Sequence, residues 1–146
     1  MTLTGNHTVN ASAQQIWDMM MNPDSLARIT PGITKLERVD DDNYKAIADV
    51  KIGPVSASFI GTLTVTDKNE PHTFKLIVQQ NSKVGNANAV MDMKIDTVSP
   101  TQSNVSFVGD VKLSGTLAIM GGRVITPVAN MLSKQFFEAL EKEVNK

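Results

Sequence analysis

Apolar and polar residues alternate with a period of two along most of the chain between Ile33 and Leu113, the mark of strands with one buried face. Tyr44, Ala46, Ala48, Val50 and Ile52 fall on one side of such a strand, and Lys45, Asp49 and Lys51 on the other. Val55, Ala57, Phe59, Gly61, Leu63 and Val65 repeat the pattern, followed by Phe74, Leu76 and Val78. Ala87, Ala89, Met91, Met93 and Ile95 form the next window, and Val105, Phe107, Gly109, Val111 and Leu113 the last. Turn-forming residues separate these windows at Asp40–Asn43, Gly53-Pro54, Lys68–Pro71, Asn81–Asn86 and Ser99-Pro100. The pattern predicts an antiparallel sheet with one face on a core and one in water, and the stretch before Asn10 reads as a further strand.

Helical signals bracket this region. Ser12 and Gln15 have the spacing of a capping box ahead of Ile16 and Trp17, which predicts a short helix over about residues 12–21. Asn22-Pro23-Asp24 restarts the chain into a second short helix through Leu26 and Ile29, ended by Pro31-Gly32. From Gly115 to about Val144 the sequence predicts one long helix of roughly 43 Å. Its second half is amphipathic, with Lys134, Glu138 and Lys142 on one side and Leu132, Phe136, Leu140 and Val144 on the other. Its first half carries Arg123 as the one charge between Thr116 and Leu132, together with the helix-weakening Gly121, Gly122 and Pro127. Close packing against the sheet is the expected reason for the glycines.

The 146 residues show no repeat, low-complexity tract or linker, so residues 1–146 are read as a single domain. Fourteen Lys and Arg against fifteen Asp and Glu leave a net charge of −1, without the basic excess of a nucleic-acid binder. The absence of cysteine excludes disulfides, thiolate metal sites and thiol catalysis. No segment has the length and apolarity of a membrane span and the N-terminus does not read as a signal peptide, so a soluble, cytoplasmic protein is expected.

Small residues crowd the inward face of the predicted sheet: Ala46, Ala48, Ala57, Gly61, Ala87, Ala89 and Gly109. Two readings follow. Either the long helix approaches the sheet closely, or an apolar pocket lies between them, roofed by Leu117, Met120, Val124, Val128 and Met131. In the second reading the thioethers of Met19, Met91, Met93 and Met120 adapt to a hydrophobic guest, with Ala48, Ala57, Phe59, Ala89 and Phe107 on the sheet side. Polar chemistry is sparse. No carboxylate or histidine falls on an inward strand position, so only Tyr44, Gln80 and Arg123 can meet the polar part of a ligand, and His7 and His72 read as surface or packing residues. Arg123 either reaches solvent or pairs with a ligand head, and Tyr44 needs a partner for its hydroxyl. Asp40–Asn43 lacks the glycine and closing glutamate of a calcium loop, and Gly121-Gly122 lacks the Lys-Ser/Thr of a phosphate loop. No motif demands a cofactor or a metal.

The order of Ala13-Gln14-Gln15-Ile16-Trp17-Asp18, Asn22–Leu26, Thr30-Pro31-Gly32, Ile52-Gly53-Pro54-Val55, Phe59-Ile60-Gly61 and Leu113–Gly121 resembles the CoxG family of carbon monoxide dehydrogenase accessory proteins over nearly the whole chain. The resemblance implies the α+β helix-grip fold of the START-like (SRPBCC) superfamily. That fold is a curved antiparallel sheet of about seven strands wrapped around a long C-terminal helix, with two short helices after the first strand. It further implies a non-catalytic accessory role beside a molybdenum carbon monoxide dehydrogenase-type oxidoreductase, carrying a quinone-like or lipid ligand or linking the enzyme to the inner face of the membrane. Longer members carry a C-terminal extension, whereas this sequence ends at Lys146, so any membrane contact is expected to be peripheral. Two alternatives remain: a START-like cyclase, dehydratase or hydrolase, and a pure docking module using the weakly charged start of the last helix.

Overall fold

The computed structural model describes all residues from Met1 to Lys146. Strand β1 (Thr2–Val9) leads into helices α1 (Ala13–Met21) and α2 (Pro23–Ile29). Strands β2 (Ile33–Arg38), β3 (Asn43–Ile52), β4 (Val55–Asn69), β5 (Thr73–Ser82), β6 (Gly85–Ser99) and β7 (Gln102–Leu113) follow, and helix α3 (Gly115–Val144) closes the chain. The seven strands form one sheet in the order β1-β7-β6-β5-β4-β3-β2, every neighbouring pair antiparallel. The meander places the β3–β4 and β5–β6 turns and the β7–α3 junction at one end of the sheet, the tip end.

Side-chain alternation selects the face of each strand that meets the helices. Phe74 and Gln80 of β5, Met93 and Ile95 of β6, and Val105 and Phe107 of β7 are buried. Their neighbours Asn88, Asp92, Lys94, Asp110 and Lys112 are exposed. The outer face is not wholly polar, because Ile60, Val90 and Val108 stand exposed on it; β-branched residues suit the strand backbone even where nothing covers them.

The N-terminal helices are set by their caps. Ser12 Oγ accepts from the Gln15 backbone N–H while Gln15 Oε1 accepts from the Ser12 N–H, the reciprocal pair expected of a capping box. Asn22 ends α1 and caps α2 through its side chain, which accepts from the N–H groups of Asp24 and Ser25, with Pro23 at the first helical position. Ile16, Trp17, Met20 and Ile29 are thereby buried, and the Trp17 and Phe74 rings meet edge-on at 5.5 Å.

Helix α3 differs from the uninterrupted helix expected from the sequence. Gly121 lies at φ 67°, ψ −176°, and two helical segments meet there across a kink. Those angles belong to a region that is essentially reserved for glycine. A Cβ on Gly121 would meet nothing within 4 Å, and one on Gly122 only Thr126 Oγ1 at 3.6 Å. Close packing therefore does not account for the pair; backbone conformation at Gly121 does. The buried stripe of the second segment is centred on Phe137 and Leu140, with Phe136 and Val144 only partly covered.

Candidate functional site: the compartment between the sheet and the last helix

The core falls into two separate hydrophobic clusters. The larger, at the end away from the tips, joins Trp17, Tyr44, Phe74, Met93, Phe107, Phe137 and Leu140 among sixteen buried residues. The smaller, at the tip end, joins Ile52, Ala57, Phe59, Leu117 and Ile125. Strand register places two cross-strand rows at their junction. One runs Tyr44–Leu63–Val78–Ala89–Val111, and the next Ala46–Gly61–Gln80–Ala87–Leu113. Leu63, Val78, Ala87, Ala89, Val111 and Leu113 point toward the helical layer yet are only partly buried. Inward residues under a covering helix stay accessible only where the cover does not fill the space. On the β7 side this space opens as a cleft of about 200 Å³ lined by Met1, Val111, Leu113, Ala118, Gly121 and Gly122. The break at Gly121 thus forms part of its wall.

The candidate ligand residues are distributed over both clusters. Tyr44, Met93 and Phe107 belong to the larger one, with Met19 and Met91 packed against it. Ala57, Phe59 and Leu117 belong to the smaller, with Met120, Val124 and Val128 packed against it. Ala48 and Ala89 are half-buried on the inward face, while Arg123 and Met131 are exposed. None of them lines the 200 Å³ cleft. Leu113 and Gly121 do, and the sequence marks both, one as the last inward residue of β7 and the other as a glycine inside a helical stretch.

Tyr44, 2% exposed, has its hydroxyl partner within the protein: Arg38 Nη2 donates to it at 3.2 Å and also to the Met21 carbonyl at 3.0 Å. The Arg38 guanidinium carbon lies 5.6 Å from the ring centroid. Hydrogen bonding to Tyr44 raises the Arg38 pKa above its ordinary value. His7 departs from expectation, because β1 turns it inward, where its ring stacks on Phe137 at 5.3 Å; the register of β1 on β7 could not be read from so short a segment. His72 Nδ1 lies 3.0 Å from the Ile95 carbonyl in the β4–β5 turn. Gln80 is 9% exposed, and neither Nε2 nor Oε1 of its side chain has a hydrogen-bond partner. No three His, Cys, Asp or Glu side chains come together as a metal site, and no helix is long and apolar enough to cross a membrane.

The fold defined by this sheet and helix is the helix-grip fold of the START superfamily. A START superfamily protein from Mycobacterium smegmatis superposes on it with a TM-score of 0.71 at 18% identity, covering 99% of this chain and 97% of that one. The Zhui aromatase/cyclase from Streptomyces sp. R1128 does so at 0.75 and 11%, over 99% and 93%. Within that class the chain belongs to the carbon monoxide dehydrogenase CoxG family, whose profile matches residues 5–145. A conserved protein from Geobacillus kaustophilus is similar at 24% identity and a TM-score of 0.94, over 99% of this chain and 95% of that one. No curated protein matches the sequence. The family is one of accessory proteins, whereas the fold's relatives include a cyclase, so fold alone does not separate holding a ligand from transforming it.

Proposed function

We propose that the protein is a non-catalytic carrier that encloses a small apolar ligand, a quinone or lipid tail, between the sheet and α3. In this reading it serves a molybdenum carbon monoxide dehydrogenase-type oxidoreductase in the cytoplasm, at the inner face of the membrane through that partner. The observation that carries the reading is the incompletely filled inward face between the two hydrophobic clusters, where Ala48, Ala89 and Val78 stay partly accessible beneath a covering helix. Its surroundings are apolar and flexible, with Met19, Met91 and Met120 at its margins. A catalyst would need acid or base groups there. Tyr44 is engaged by Arg38 and Arg123 is exposed, which leaves the cyclase or hydrolase alternative without a proton-transfer pair.

Binding of the neutral dye N-phenyl-1-naphthylamine, read by fluorescence, tests the compartment. Ala48→Phe and Ala89→Phe should each abolish uptake while far-UV circular dichroism and Tm stay close to those of the parent, because both positions face accessible space. Uptake that survives both substitutions would overturn the assignment. A docking role is favoured by one separate observation: Ile119, on the α3 segment before the break, is 86% exposed. Ile119→Ser should weaken capture of the partner oxidoreductase without changing dye uptake.

A further inference from the structure

Gln80 has no role in holding the fold together. It lies mid-sheet on β5, between Gly61 of β4 and Ala87 of β6, two residues whose size leaves its side chain without lateral cover. Its carboxamide is buried, and both polar atoms are unpartnered, an arrangement that destabilises the apoprotein unless something else meets those atoms. Gly61 cannot be enlarged to fill the trough, since a Cβ there would stand 1.8 Å from the Gln79 carbonyl oxygen. From the cleft at Leu113 the row leads across Ala87 to Gln80, two strand spacings or about 10 Å.

We infer that Gln80 is the polar recognition element of this compartment, and that it selects an apolar guest carrying a neutral oxygen head, a carbonyl or hydroxyl. The inference rests on the carrier reading above and specifies the ligand for it. A carboxamide donates to a carbonyl and accepts from a hydroxyl, so either head satisfies it. A charged head is disfavoured, because the side chains flanking Gln80 in its row are those of Ala46, Gly61, Ala87 and Leu113 and offer no counter-charge to a buried anion. Fatty acids and phospholipid headgroups are thereby excluded from the Gln80 end. The carboxamide is closed off in the empty compartment, where Ala87 packs against the cluster containing Leu117. A guest reaches it when the Gly115–Met120 segment shifts, and the break at Gly121 supplies the hinge.

Three probes of one ring size separate the possibilities by displacement of N-phenyl-1-naphthylamine: 2-ethylnaphthalene, 2-acetylnaphthalene, which differs by one carbonyl oxygen, and 2-naphthoate. The wild-type protein should bind the acetyl probe about tenfold more tightly than the ethyl probe, equivalent to about 1.4 kcal/mol, and the naphthoate most weakly. Gln80→Met and Gln80→Leu should erase the acetyl preference, leave ethyl binding intact and raise the apoprotein Tm by about 2–4 °C through loss of an unpaired buried amide. An acetyl-to-ethyl ratio unchanged by both variants, a fall in Tm in both, or naphthoate binding as tight as acetyl overturns the role of Gln80. Failure of the ethyl probe to bind the wild type instead overturns the carrier reading on which it rests.

Discussion

The break in α3 makes a prediction in which two adjacent glycines behave oppositely. Gly121 sits at φ 67°, ψ −176° with open space around its missing Cβ, so Gly121→Ala meets no steric obstacle and its cost is conformational alone. Holding a residue with a Cβ in that region costs about 1–3 kcal/mol. Gly122 has no such backbone demand, and an added methyl would make an ordinary contact with Thr126 Oγ1 at 3.6 Å. Gly122→Ala should therefore be neutral or stabilising by up to about 1 kcal/mol through helix propensity. For a chain of this size each kcal/mol moves Tm by about 2–4 °C, so the two variants should separate by several degrees on opposite sides of the wild type. Urea unfolding with unchanged m-values would establish that the difference lies in the native state. A Gly121→Ala protein as stable as the wild type would refute the reasoning, because it would mean that the kink is dispensable and α3 relaxes into a continuous helix.

Gly61→Ala should destabilise by about 3 kcal/mol, visible as a lower urea midpoint, because the new methyl collides with the β5 backbone at the Gln79 carbonyl. Glu143 ties α3 to α2, accepting from Arg28 Nε at 2.9 Å, and it also pairs with Lys146 at 3.1 Å. Hydrogen bonding from Arg28, then from Lys146, holds its carboxyl below the ordinary value of 4.5. A carboxylate depressed in the folded state contributes stability above its unfolded pKa and loses it as pH falls through the folded one. The Tm difference between wild type and Glu143→Gln should therefore be full at neutral pH and vanish below about pH 4.5; a difference that persists in acid would show that the charge is not its source.

The strands were the most legible part of the sequence, since their inward residues obey a strict period of two and their turns carry Gly, Pro and Asn. Their ends were less so. β4 runs on past Val65 to Asn69, and β6 past Ile95 to Ser99, where backbone pairing such as Asn69 with Thr73 continues without an apolar side to announce it. The capping box at Ser12 was readable because its two side chains are diagnostic at that spacing. The bend at Gly121 was not, because glycine signals permission for an unusual φ but not its use. The α3 stripe drifted from Phe136 to Phe137 because residues taken strictly four apart rotate slowly around a helix with 3.6 residues per turn. Individual compartment residues could not be sorted from core residues, since alanine and methionine look the same lining a gap or filling one. Gln80 was visible as an inward polar residue, but its lack of a partner is a property of three strands brought together.

The central claim is that the space between the sheet and α3 holds a guest. Native mass spectrometry of the protein purified from its own host, followed by organic extraction, tests this most directly. The account predicts a stoichiometric adduct that extracts as a neutral apolar molecule bearing a carbonyl or hydroxyl group, an isoprenoid quinone being one such compound. A clean mass of the bare chain, with no adduct formed when quinones or neutral lipids are added, would contradict it and leave the exposed α3 segment as a docking surface alone.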